Sequence, residues 1–211
     1  MTDFGFYLVI TNPAVGYAKC AEAAVRAGVK IIQLRMKHAS REEILREAHE
    51  MRRVTAGTET LFIVNDDPSI AAEVGADGVH VGQGDMAPDE VRARYPDLRI
   101  VGLSTHNLDQ VRASVTQPID YIGVGPVYAT PTKDIPDPTL GLKPMGEMIA
   151  IAAPHPAVAI GGIDAARLPE VLAAGASNFA VVRAVCQSPD PYSAIMKLLD
   201  ISQSLAANTR M

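Results

Sequence analysis

The sequence predicts a (βα)8 barrel of the TIM type, and three observations predict it. Short apolar, β-branched runs recur roughly every 25 residues along the 211-residue chain, separated by amphipathic or alanine-rich stretches of helical period. The runs are continuously apolar rather than alternating, as a parallel sheet covered by helices requires. Six of the runs also end in residues that handle anions or metals: 33–37 (Gln-Leu-Arg-Met-Lys), 64–67 (Val-Asn-Asp-Asp), 82–85 (Gly-Gln-Gly-Asp), 103–106 (Leu-Ser-Thr-His), 125–133 (Gly-Pro-Val-Tyr-Ala-Thr-Pro-Thr-Lys) and 160–163 (Ile-Gly-Gly-Ile). Chemistry gathered at one end of every strand is how a parallel barrel builds an active site.

Taken in order, a strand over 6–11 is expected to lead into a helix over 17–27, closed by Gly28. The strand over 30–35 leads to a helix over 41–55 that opens on a capping box, Ser40 with Glu43. The strand over 61–66 is followed by Asp67, an N-cap placed before Pro68 at the first helical position, and by a helix over 69–75. Strands over 78–82 and 99–105 follow, with helices over 88–94 and 107–115. The last three units are strand 121–127 with helix 143–152, strand 157–163 with helix 165–174, and strand 179–185 with helix 192–206. Gly28, Gly75 and Gly175 sit in similar tetrapeptides (Ala-Gly-Val-Lys, Val-Gly-Ala-Asp, Ala-Gly-Ala-Ser), spaced like two and then four βα units. A doubly wound open sheet would carry a glycine-rich first turn, which Thr11-Asn12-Pro13 is not. The expectation is one domain over residues 1–211, with a long functional loop at 129–142 that carries Pro131, Pro136 and Pro138.

Composition bounds the function. An apolar fraction of 48% and a charged fraction of 20% are those of an ordinary soluble protein, and no apolar run is long enough to cross a bilayer. Met1-Thr2-Asp3 has no basic secretory n-region, and Cys20 and Cys186 are expected as buried free thiols, which fits a reducing cytosol. A net charge of −5 advertises neither a nucleic-acid nor a membrane partner. An anionic substrate would therefore need positive charge concentrated locally. The sequence assigns no oligomeric state.

Asp66 ends the third strand and Asp85 follows the fourth, so both carboxylates can reach one ion above the barrel mouth, adjacent strands being about 5 Å apart. Two carboxylates with water and phosphate oxygens are how Mg²⁺ is held. Arg35, Lys37 and Lys133 fall on the same face and supply the local positive charge. Gly161-Gly162 after strand seven and Val182-Arg183 after strand eight match the common barrel phosphate site, where backbone N–H groups approach an anion closely. Two anion sites on one rim suggest two substrates, a diphosphate and a monophosphate. Of the histidines, His80 is expected as a satisfied core residue, His106 as a candidate ligand contact, and His38, His49 and His155 as surface or loop residues. No zinc spacing and no nucleophile elbow is present.

From about residue 6 to residue 186 the chain resembles the thiamine phosphate synthase family. The matching segments are 62–67 (Phe-Ile-Val-Asn-Asp-Asp), 75–86 (Gly-Ala-Asp-Gly-Val-His-Val-Gly-Gln-Gly-Asp-Met), 101–106 (Val-Gly-Leu-Ser-Thr-His), 120–133 and 158–163 (Val-Ala-Ile-Gly-Gly-Ile). The resemblance implies a transferase that joins hydroxymethylpyrimidine diphosphate to thiazole phosphate, giving thiamine phosphate and diphosphate with Mg²⁺ as cofactor. It assigns Gln33, Leu34, Arg35, Met36, Lys37, Asn65, Ser104 and Lys133 to the pyrimidine diphosphate, and Asp66 and Asp85 to the metal. Thr130, Pro131, Thr132, Gly162, Val182 and Arg183 go to the thiazole phosphate. Arg35, Lys37, Ser104 and Lys133 are the residues implied to act on the leaving group. Three positions depart from the family pattern: Met36 replaces a glutamate, 139–144 replaces a Gly-Leu-Glu segment, and Arg183 stands where serine is common. A thiazole tautomerase on the same barrel, or a non-catalytic thiamine-phosphate-binding module, are the alternatives.

Overall fold

The computed structural model describes residues 4–130 and 138–208, with side chains through 206. Pro131, Thr132 and Lys133 lie outside the described residues, as does half of the 129–142 loop. Eight strands, β1 (Phe6–Ile10), β2 (Ile31–Leu34), β3 (Leu61–Asn65), β4 (Gly78–Val81), β5 (Ile100–Thr105), β6 (Tyr121–Val124), β7 (Ala157–Ile160) and β8 (Asn178–Val181), pair in parallel and in sequence order to close a barrel. Between them run α1 (Tyr17–Arg26), α2 (Arg41–Thr55), α3 (Pro68–Glu73), α4 (Pro88–Arg94), α5 (Leu108–Ser114), α6 (Leu142–Ala150) and α7 (Leu168–Ala173). A single-turn α8 (Arg183–Cys186) and the long α9 (Pro191–Asn208) follow β8.

Local chemistry sets these limits. The Ser40 and Glu43 capping box forms at the start of α2, and Asp67 caps α3 by accepting from Ser69 and Ile70 N–H at 2.8 and 3.0 Å. Gly28, Gly75 and Gly175 take the left-handed conformation after α1, α3 and α7. Three strands stop three or more residues earlier than the sequence predicts. β6 ends before Gly125 and Pro126, because proline has no N–H for the ladder. β7 ends where Gly161 and Gly162 turn to φ of 106° and 65°. β8 ends at Val181, and residues 183–185, expected as strand, lie in the helix α8 instead. An unbroken apolar run cannot be told from a buried helical turn by periodicity alone.

Side chains alternate across each strand. One set packs inside the barrel, with Tyr7, Val9, Ile31, Ile63, Ile100, Tyr121, Val158 and Ala180 in one apolar cluster. The other set, including Leu8, Ile32, Leu34, Phe62, Val64 and Val79, faces the helices. At the N-terminal ends of the strands the ring is fastened by buried or half-buried carboxylates. Asp77 accepts the Phe62 N–H at 2.9 Å and pairs with Arg52 at 3.3 Å and with Arg99. Asp120 accepts the Val101 N–H at 2.7 Å and pairs with Arg92 at 2.5 Å. Asn178 Oδ1 accepts the N–H groups of Phe4 and Gly5 at 2.8 and 2.9 Å, tying the entry of β1 to β8. Cys20 and Cys186 are both buried and free, as expected.

Candidate active site at the C-terminal rim

The inward-facing set explains which residues reach the rim. Following alternate positions up each strand leads from Ile31 to Gln33 and Arg35, from Ile63 to Asn65, from Gly78 to His80 and Gly82, from Ile100 to Ser104, from Tyr121 to Gly125, from Val158 to Ile160 and Gly162, and from Ala180 to Val182. The residues reached at the upper ends line one cavity of about 920 Å³ that extends inward to Tyr7 and Tyr121. Of the sequence-predicted site, Gln33, Arg35, Lys37, Asn65, Asp66, Asp85, Ser104, Thr130, Gly162, Val182 and Arg183 all line it. Leu34 and Met36 do not: Leu34 is fully buried in the helix-facing layer, and Met36 packs against that layer from the side. Any contribution of these two to a ligand would run through their backbone.

Asp66 is a non-glycine residue at a φ of 65°, a conformation for which aspartate is among the more tolerant side chains. The turn separates Asp66, which faces the cavity, from Asp67, which caps α3. Lys37 forms an ion pair with Asp66 at the mouth. Across from it, Asp85 accepts the Gly82 N–H at 2.7 Å. Burial pushes the Asp85 carboxyl above the usual carboxylate range; the Gly82 N–H opposes this, and the adjacent Asp66 charge adds to it. Among the described residues no group of three potential ligands gathers. A pair of facing carboxylates does gather, and it suits a hard cation that keeps most of its positions for water and ligand oxygens.

On the opposite side of the cavity Gly161 and Gly162 make a tight turn that no other residue fits. A Cβ at Gly162 would lie 2.7 Å from Tyr128 Cβ. Arg167 covers the Tyr128 ring at 4.7 Å and donates to the Gly162 carbonyl at 2.8 Å, holding that turn in place. Val182 and Arg183, at the end of the neighbouring β8, line the same cavity. The rim thus carries acidic and basic residues together near β2 to β4, and a glycine turn with arginines near β7 and β8. That arrangement can hold two anions in one cavity, one of them through a cation.

Sequence reasoning missed the polar floor. Gln33 Nε2 donates to Tyr7 Oη at 2.7 Å, Tyr7 and Tyr121 hydroxyls meet at 2.9 Å, Tyr121 Oη lies 2.9 Å from His80 Nδ1, and His80 Nε2 lies 2.9 Å from Ser104 Oγ. His80 is indeed satisfied, as expected, yet it also lines the cavity. Its inward register, shared with Ser104, was the available signal. His106 lines the cavity as well, with Nδ1 2.7 Å from the Gly125 carbonyl, while His38 and His49 are exposed.

A family model described as thiamine monophosphate synthase matches residues 6–185. A thiamine-phosphate synthase of Caldicellulosiruptor bescii is 44% identical over 178 residues, covering 84% of this chain and 81% of the relative. That of Methanoregula boonei is 39% identical over 194 residues, covering 90% and 89%. A Synechocystis relative of the same name is 40% identical over 195 residues, 90% of this chain but 55% of the relative, so the chain spans about half the length of that protein. Among solved structures, a thiamine phosphate pyrophosphorylase from Pyrococcus furiosus superposes with a TM-score of 0.86 at 28% identity over 96% of both chains.

Proposed function

The chain belongs to the thiamine monophosphate synthase family, and from that premise we propose that its rim joins a pyrimidinylmethyl diphosphate to a thiazole phosphate, releasing diphosphate. The observation that carries this reading is the facing pair Asp66 and Asp85 at the cavity mouth, with Lys37 ion-paired to Asp66. It is a clamp for a metal-bound diphosphate, for which a tautomerase has no use. Met36 does not favour mere binding: its side chain packs against the helix-facing layer and is not part of the cavity lining.

In this reading Asp66 and Asp85 would hold Mg²⁺, which would supply positive charge to offset that of the diphosphate. Arg35, Lys37 and Lys133 stabilise the negative charge that builds as the methylene carbon–oxygen bond breaks and its electron pair leaves with the diphosphate. Gln33 and Asn65 orient the pyrimidine. The Gly161-Gly162 turn with Thr130, Pro131, Thr132, Val182 and Arg183 seats the thiazole phosphate so that the ring nitrogen lies ready to donate its lone pair to the methylene carbon. No protein base is needed, because no proton moves in forming the new carbon–nitrogen bond. We assign the reaction to a reducing cytosol, a reading that the two buried free thiols support. Among the described residues no helix is long and apolar enough to cross a membrane.

The test is diphosphate release by purified protein given both substrates with Mg²⁺ and then with EDTA. Release should require both substrates and the metal. Asp66→Ala and Asp85→Ala should each lower kcat by roughly a hundredfold or more. A doubly substituted protein that keeps full activity would remove the metal assignment.

A further inference from the structure

Among the described residues, a hydrogen-bonded line with a direction runs along the barrel floor. Its first member, the Gln33 amide nitrogen, can only donate, and it donates to Tyr7 Oη. Tyr7 is fully buried, so its own proton goes to the acceptor beside it, Tyr121 Oη. Tyr121, also fully buried, then sends its proton to His80 Nδ1. An imidazole that accepts at Nδ1 and stays neutral carries its proton on Nε2, and that N–H points to Ser104 Oγ. The serine oxygen is thereby an acceptor toward His80, and its O–H is the donor left to face the cavity. Burial drives both tyrosine hydroxyls further from ionisation, which keeps each of them a neutral relay of one donor and one acceptor. The line occupies space cleared for it: a Cβ at Gly102 would lie 2.2 Å from Tyr121 Cζ and 2.6 Å from His80 Nδ1.

We propose that His80 is a positioning residue for the transfer, held by Tyr121 in the Nε2–H form so that Ser104 presents its hydroxyl proton to the departing diphosphate. Its kinetic side rests on the synthase reading; its tautomeric side does not. Gln33 at one end of the line and Ser104 at the other are both assigned to the same substrate, so the floor couples the group that orients the ring to the group that meets the leaving oxygens. A reversed line, in which Ser104 donates to His80, would leave the serine with lone pairs turned toward an anion, a repulsive contact.

The experiment has two arms. In protein labelled with ¹⁵N-histidine, nitrogen–proton correlation spectra report which ring nitrogen of His80 carries the proton, with His80→Gln used to assign the signals. The expected result is an unprotonated Nδ1 and a protonated Nε2, with the other form gaining population in Tyr121→Phe. A protonated Nδ1 in the unsubstituted protein would overturn the proposal whether or not the protein is a synthase. In the second arm, His80→Asn, whose amide reaches only the Nδ1 position, should lower kcat about tenfold with KM changed less than about twofold. His80→Gln, whose amide reaches toward Ser104, should retain more of it. On a Ser104→Ala background the same His80 substitutions should change kcat by less than about twofold, since they have nothing left to act through. A full-sized effect on that background would show His80 acting independently of Ser104. Absence of any diphosphate release would count against the synthase reading alone, and the spectra would still decide the orientation of the line.

Discussion

At the scale of single residues, Asp66 and Gly102 show how much function depends on backbone position. The left-handed turn at Asp66 lets two neighbouring aspartates do different work, one facing the cavity and one capping a helix. The division was legible in the sequence because Asp67 stands directly before Pro68 and so fills the cap, leaving Asp66 without a structural task. Gly102 was not legible. Its role depends on Tyr121 and His80, which belong to the strands on either side of it, at registers that only pairing reveals. Gly102→Ala should destabilise the protein by about 1–3 kcal/mol, read from denaturant unfolding, because a methyl group there must displace two packed rings. The polar floor was hidden for the same reason: His80 in isolation looks like any satisfied core histidine, and only its two partners give it a direction.

At the scale of elements, the caps and stops carried the prediction. Ser40 with Glu43, Asp67 with Pro68, and the three glycines after α1, α3 and α7 are local signals, and the structure places a helix end at each. Non-local constraints decided the rest. α8 emerged from an apolar run with no turn residue to mark it, and the early ends of β6 and β7 follow from Pro126 and from the Gly161-Gly162 turn. The α3 cap can be tested directly. Burial tends to raise the Asp67 carboxyl, but the Ser69 hydroxyl, the Ile70 and Ser69 N–H groups and Arg41 together hold it below its ordinary value. A carboxylate depressed on folding contributes stability above its unfolded pKa and loses it as pH falls through the folded one. Asp67→Ala should therefore cost about 1 kcal/mol at neutral pH, and the gap between the variant and the parent should close as the pH drops below the usual aspartate range. Thermal melts at several pH values would measure it.

At the scale of the whole molecule, the two ends of the barrel separate stability from chemistry. Asp77 lies at the N-terminal end, away from the rim, and holds Phe62 N–H, Arg52 and Arg99 together. Asp77→Ala should lower stability by roughly 1–3 kcal/mol through the buried N–H left without its acceptor, while kcat per folded molecule stays unchanged. A loss of kcat measured at full folding would mean that the ends communicate. The join between β1 and β8 has a further consequence, for biosynthesis. Phe4 and Gly5 meet their acceptor on Asn178, 174 and 173 residues downstream. While the chain is still growing on the ribosome, β1 is an open edge with no neighbour on one side, and contacts this distant in sequence form slowly. The half of the rim built on Val182 and Arg183 comes into being only when that seam shuts. Catalytic competence in a newly made molecule is thus a late event, and a pulse-chase assay of activity would time the closing of the ring.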